Sequence, residues 1–86
     1  MKYPFYAIRD VHVGFNQPMT DINDNTAIRN FSYAINNPGN GVMNFQPKDY
    51  DLYRIGEFDT DSGLLIPEPV PVLVVSGLSV YGSEVK

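Results

Sequence analysis

With 86 residues and no cysteine, the chain has room for one small core and no means of cross-linking it, which excludes a disulfide framework, a thiolate metal site and a cysteine nucleophile. Six basic against ten acidic residues leave a net charge of −4, which excludes coating nucleic acid by bulk positive charge, because such binding draws its affinity from phosphate neutralisation. One domain spanning residues 1–86 is expected, and a domain this small without disulfides often gains stability by oligomerising.

The amino terminus, Met1-Lys2-Tyr3-Pro4-Phe5, carries a charge but no apolar stretch of the kind that directs secretion. The most apolar run, Val70 to Val80, is interrupted by Pro71, Ser76, Gly77 and Ser79 and falls far short of the roughly 20 apolar residues that span a bilayer. A soluble protein is expected, and the lack of cysteine fits a reducing cytoplasm.

Lys2 to Arg9 reads as the first strand, with Tyr3, Phe5 and Ala7 on one side and Pro4, Tyr6 and Ile8 on the other. Two apolar faces point to a central strand, whereas Pro4, which cannot donate to a ladder, points to an edge. Asp10 to Asn23 reads as a loop with a short strand around His12 to Phe15. Asp24 to Asn36 reads as the one helix, capped by Asp24 or Thr26 and stopped by Asn36-Asn37-Pro38-Gly39. Its apolar stripe is Ala27, Ile28, Phe31, Ala34 and Ile35, with Arg29, Asn30 and Ser32 off it.

Asn37 to Gln46 is a Gly- and Asn-rich connector leading through Pro47 to Tyr50. Leu52 to Phe58 reads as a strand, Asp59 to Gly63 as a tight turn, and Leu64 to Pro67 as the return arm of the hairpin. Pro67-Glu68-Pro69-Val70-Pro71 forces an extended passage. Val72 to Tyr81 reads as a last strand with a weak point at Gly77, and Ser83 to Lys86 as a frayed tail. The expected fold is α+β: a small antiparallel or mixed sheet of three to four strands with one α-helix packed on one face.

Catalytic and metal chemistry find no assembled set. His12 is the sole histidine, without the partners that a hydrolytic triad or a zinc site requires. Asp59-Thr60-Asp61-Ser62-Gly63 imitates the start of a calcium loop, but glycine falls fifth and the twelfth position is Val70, so a hairpin turn is the better reading. Gly39-Asn40-Gly41 lacks the further glycine of a dinucleotide fingerprint. Asp49 and Asp51 read as a solvated acidic edge. No enzyme, cofactor or metal is expected.

Strand-borne aromatics interleaved with arginine suit single-stranded nucleic acid, which is held by ring faces stacking on bases and cations tracking phosphates. Tyr3, Tyr6, Tyr53 and Phe58 lie on expected strands with Arg9 and Arg54. The competing reading is that most aromatics in a small domain are core.

Three segments together carry a resemblance to a known family. They are Lys2-Tyr3-Pro4-Phe5-Tyr6-Ala7-Ile8-Arg9-Asp10, then Ala27-Ile28-Arg29-Asn30-Phe31, then Asp49-Tyr50-Asp51-Leu52-Tyr53-Arg54-Ile55-Gly56-Glu57-Phe58-Asp59 closed by Gly63. In that order they resemble the first strand, helix core and strand-hairpin of the small nonstructural protein of gokushovirus-type microviruses, tailless phages with single-stranded DNA genomes. The resemblance implies a non-enzymatic protein made in the host bacterial cytoplasm. It also implies DNA binding, with a part in genome replication or in the switch to single strands for packaging.

On that reading Arg9, Arg29 and Arg54 contact phosphate, Tyr6 and Tyr53 stack on bases, and the chain acts as a homo-oligomer with single-stranded DNA. Arg29 and Arg54 read equally as structural ion pairs with nearby acids. The alternative function is a small oligomeric interaction module that binds a viral replication or capsid protein, or a host factor, through the Val72 to Tyr81 edge. The arginines discriminate: convergence on one acid-free face favours DNA, and a carboxylate beside each favours the module.

Overall fold

The computed structural model describes residues 1–82; the expected tail at 83–86 lies outside the described residues. Strand β1 (Lys2–Asp10) pairs antiparallel along its whole length with β4 (Tyr50–Asp59), which pairs on its other side with β5 (Leu65–Ser76). Two short strands, β2 (Gly14–Phe15) and β3 (Met19–Thr20), fold back onto the free side of β1. The sheet is therefore wholly antiparallel and has five strands, in the order β2-β1-β4-β5 with β3 beside β1.

Pro4 fits a central strand because of where its missing donor points. The Asp21 N–H donates to the Pro4 carbonyl at 3.3 Å, so the Pro4 backbone faces the β3 side, one residue beyond the last β3 pair, Phe5 with Thr20. No bond to β4 is lost.

Helix α1 (Asp24–Asn36) buries Ala27, Phe31 and Ile35, each four residues from the last, against Tyr6, Ile8, Tyr50 and Leu52 of the sheet. Its cap is Asn23, whose side chain accepts from the Thr26 N–H at 2.9 Å, in place of the expected Asp24 or Thr26. That leaves Asp24 free in the first turn for the contacts described below.

The Asn-rich connector holds structure of its own: a 3₁₀ turn at Pro38–Asn40, the helical turn α2 (Val42–Phe45) and a second 3₁₀ turn at Pro47–Asp49. Its amides serve the end of α1, where carbonyls lack helical partners. Asn40 donates to the Ala34 carbonyl at 2.7 Å and Asn44 to the Ile35 carbonyl at 3.0 Å. Asn36, the last residue of α1, donates to the Val80 carbonyl at 3.0 Å and accepts from the Gly82 N–H at 2.7 Å, pinning the far end of the chain to the helix.

The hairpin turn forms as expected, with Gly63 at φ 74° and its N–H bonded to the Asp59 carbonyl at 2.8 Å. The two strands expected at Leu64 to Pro67 and Val72 to Tyr81 are one strand, β5, whose register with β4 jumps between Gly56↔Pro67 and Arg54↔Val72. The proline-rich residues bulge out between those pairs. Beyond Ser76 the chain turns into the short helix α3 (Gly77–Val80) and does not continue as strand, so Gly77 is no bulge. A side chain there would run into the carbonyls of Pro47 and Tyr50, which is why the close approach needs glycine.

Candidate nucleic-acid interface

The register Tyr6↔Arg54, Ile8↔Leu52, Asp10↔Tyr50 puts these residues on the sheet face that meets α1. Tyr6 is only 1% exposed, and its hydroxyl donates to Asp24 Oδ1 at 2.5 Å. Burial, and then that bond to Asp24, raise the phenol well above its ordinary value. Arg54 lies beside it. Its Nη1 donates to Asp24 Oδ2 at 2.9 Å and its Nε to Glu68 Oε2 at 3.2 Å. The Glu68 bond, helped by Asp24, strengthens the guanidinium charge against the burial that opposes it.

This geometry assigns both residues structural roles in place of the expected DNA contacts. Tyr6 exposes no ring face for stacking, and two carboxylates compensate Arg54. Together they tie the start of α1 to β4 and to the proline-rich bulge of β5. The groove of about 590 Å³ over this lock also holds Lys2, Asn25 and Glu57, and its carboxylates disfavour a phosphate.

The opposite face carries no helix among the described residues and has a different chemistry. Arg9 pairs with Phe15 of β2 on one side and with Asp51 of β4 on the other, and Tyr53 pairs with the neighbouring Ala7. The Phe15 and Tyr53 rings meet edge to face, with centroids 5.4 Å apart and planes at 74°. Phe15 is 48% exposed, and Arg9 and Tyr53 are half-buried. Among the described residues the ion pairs involve the amino terminus, His12 and Arg54, so Arg9 has no carboxylate partner. Strand alternation turns Glu57 away with Pro4 and Asp59 away with Lys2, leaving Asp51 as the β4 carboxylate that shares this face. At the other end of the face Phe5 and Phe58 form a second edge-to-face pair, 6.3 Å apart at 89°.

Arg29 is exposed on α1, two positions from buried Phe31 and so on the solvent side of the helix. The three arginines thus occupy three surfaces: Arg9 the open sheet face, Arg54 the acidic lock, Arg29 the back of the helix. Only Arg9 shares its surface with Tyr53.

Phe15 escapes the sequence reading because its place depends on the reversal at residues 11–13, where the Val13 N–H bonds the Asp10 carbonyl at 3.1 Å. An aromatic directly after Gly14, six residues past Arg9, is the available signal. His12 stands at the same reversal with Nε2 3.2 Å from Asp49 Oδ2, an exposed pair with no nucleophile or metal cluster beside it among the described residues.

A protein-family model described as Phage ORF5 protein matches residues 3–80. The chain belongs to this phage family. The match takes in all five strands and the helix, so the fold described here is that of a Phage ORF5 family protein, in keeping with the small phage protein that the resemblance implies. No curated protein and no solved structure gives a significant match. Among the described residues of this Phage ORF5 family protein, no helix is long and apolar enough to cross a membrane.

Proposed function

We propose that this Phage ORF5 family member is a non-enzymatic nonstructural protein of a single-stranded DNA phage. In the host cytoplasm it binds single-stranded DNA on the open face of its sheet, in support of genome replication or of the switch to single-strand synthesis and packaging. The observation that carries the reading is Arg9: a cation without a carboxylate partner among the described residues, in one row with the Phe15–Tyr53 ring pair. Ring faces supply stacking to any base, and the guanidinium supplies the phosphate contact. Strand alternation directs Glu57 and Asp59 to the other side, which leaves Asp51, opposite Arg9, as the β4 carboxylate on this face.

Anisotropy of a labelled oligothymidine titrated with the protein at about 50 and 200 mM salt tests the reading, since phosphate contacts must weaken over that range. Saturable binding that weakens with salt, and that falls with Arg9→Ala and Tyr53→Ala but not with Arg29→Ala, is expected. No binding at the lower salt sinks the proposal.

The alternative, capture of a viral replication or capsid protein by strand addition, draws less support from the edge it would use. Pro67, Pro69 and Pro71 remove donors from β5, its register shifts again between Leu52 and Tyr53 of β4, and the chain leaves the sheet at Ser76.

A further inference from the structure

The chain contains eight asparagines, and Asn40 is the one that glycine follows. Asparagine is thermolabile, and a following glycine hastens its loss because no side chain shields the backbone nitrogen that attacks the amide. The fold requires glycine at that place. Gly41 has φ 62°, a region that glycine enters without steric cost. The path of the connector therefore builds the labile pair into the chain.

Little of the structure covers this pair. Residues 38 to 42 are all exposed, and among the described residues no atom stands within 4 Å of where a Gly41 Cβ would lie. Two hydrogen bonds hold the reacting groups. The Asn40 Nδ2 donates to the Ala34 carbonyl at 2.7 Å. The Gly41 N–H donates to the Pro38 carbonyl at 3.4 Å, longer than the usual amide bond. Opening the turn frees both groups together: the amide that leaves and the nitrogen that attacks.

We propose that Asn40 is a site of spontaneous deamidation, with water as the co-reactant, and that the product unfastens the end of α1. The Gly41 nitrogen attacks Asn40 Cγ. A bond forms between them, the Cγ–Nδ2 bond breaks, and the Gly41 proton leaves with the amide nitrogen as ammonia. Water then opens the resulting five-membered imide at one or the other carbonyl, leaving an α-linked or a β-linked aspartate at position 40. One water enters, one ammonia departs, and nothing is oxidised or reduced.

The consequence follows from what the amide does. A carboxylate at position 40 accepts hydrogen bonds and donates none, so the Ala34 carbonyl loses its partner. It also sets a negative charge beside the carbonyl end of α1, whose last turn carries no basic residue to offset it. The β-linked product further lengthens the backbone of a turn that must return the chain to α2. All of this happens at the end of the helix, on the other side of the sheet from Arg9 and the Phe15–Tyr53 pair, so the inference is independent of the DNA reading.

Peptide mapping by mass spectrometry of the full chain, aged in mildly alkaline buffer with and without urea, tests this. The unfolded chain in urea sets the intrinsic rate. In the folded chain Asn40 is expected to convert before any other asparagine, at a rate within about a hundredfold of that in urea, because two hydrogen bonds hold the reacting groups. The aged fraction and an Asn40→Asp variant should both melt below the fresh protein. Asn40→Gln, whose longer side chain closes a six-membered ring far more slowly, should keep its amide. Folded protein that retains Asn40 beyond that limit, or that converts another asparagine first, overturns the inference. So does an aged fraction that melts with the fresh protein.

Discussion

The Tyr6 hydroxyl and the Asp24 carboxylate are joined by a 2.5 Å hydrogen bond between the middle of β1 and the first turn of α1, and the second oxygen of that carboxylate holds Arg54. Because Tyr6 is buried, removing its hydroxyl leaves Asp24 with a lost donor at the edge of the core. Tyr6→Phe is expected to lower stability by about 1.5–3 kcal/mol, as loss of a hydrogen bond to a charged group does, read from urea unfolding. Oligothymidine affinity should stay at the wild-type level, and a large loss of affinity in the folded variant would return Tyr6 to the binding surface.

Arg54 separates structural from binding arginines. Arg54→Ala leaves Asp24 and Glu68 facing each other without their cation. The site is 29% exposed, so the cost is expected at about 1–3 kcal/mol, less than for a fully buried pair. Arg9→Ala should show the reverse pattern, with little change in unfolding and a shallower salt dependence of DNA binding. Comparing the two variants in both assays checks the assignment, and equal effects in each would contradict it.

Alkaline pH should destabilise the fold. Tyr6 is raised by burial and then Asp24, and Tyr50 by burial and then Asp10, so the folded chain holds both phenolic protons more tightly than the unfolded chain does. The stability they contribute is fully present below the ordinary value of 10.0 and is lost as pH rises through the folded values. Urea midpoints measured at successive pH values above about 9 should fall, and fall less steeply in Tyr6→Phe and Tyr50→Phe. An identical decline in both variants would show that other groups govern it.

Gly56 is the residue that lets β5 approach β4 beside the proline-rich bulge. A Cβ would stand 2.6 Å from the Ile66 oxygen and 3.1 Å from the Pro67 Cα, both backbone atoms that cannot swing aside. Gly56→Ala is expected to cost about 1–3 kcal/mol, the range for overpacking, and to lower the thermal midpoint. An unchanged midpoint would mean that the hairpin adjusts by moving β5 outward.

Much of this architecture is legible in the residues. The spacing of Ala27, Phe31 and Ile35 gives the helix and its buried stripe, the Asp59 to Gly63 composition gives the turn, and the alternation in β1 gives its two faces. Local periodicity encodes each of these within one or two turns of chain. The pairing of β2 and β3 with β1 is not legible, because each is two residues long and is held by a partner several residues away. The union of two expected strands into β5 likewise depends on β4 accepting a register jump across the prolines.

The candidate site divides along the same line. Residue type and strand periodicity mark Arg9, Arg54, Tyr6 and Tyr53 as side chains able to meet DNA, and Arg29 joins them only through the helix motif that carries the family resemblance. Tertiary structure decides among them. Arg54 finds Asp24 thirty residues away and Glu68 fourteen away, Tyr6 falls under α1, and Arg29 faces out behind the helix. Phe15 joins Tyr53 from the far side of β1. A side chain's chemistry is local, but its partners and solvent are fixed by which strands and helices close over it, and those contacts arise between segments that the sequence keeps apart.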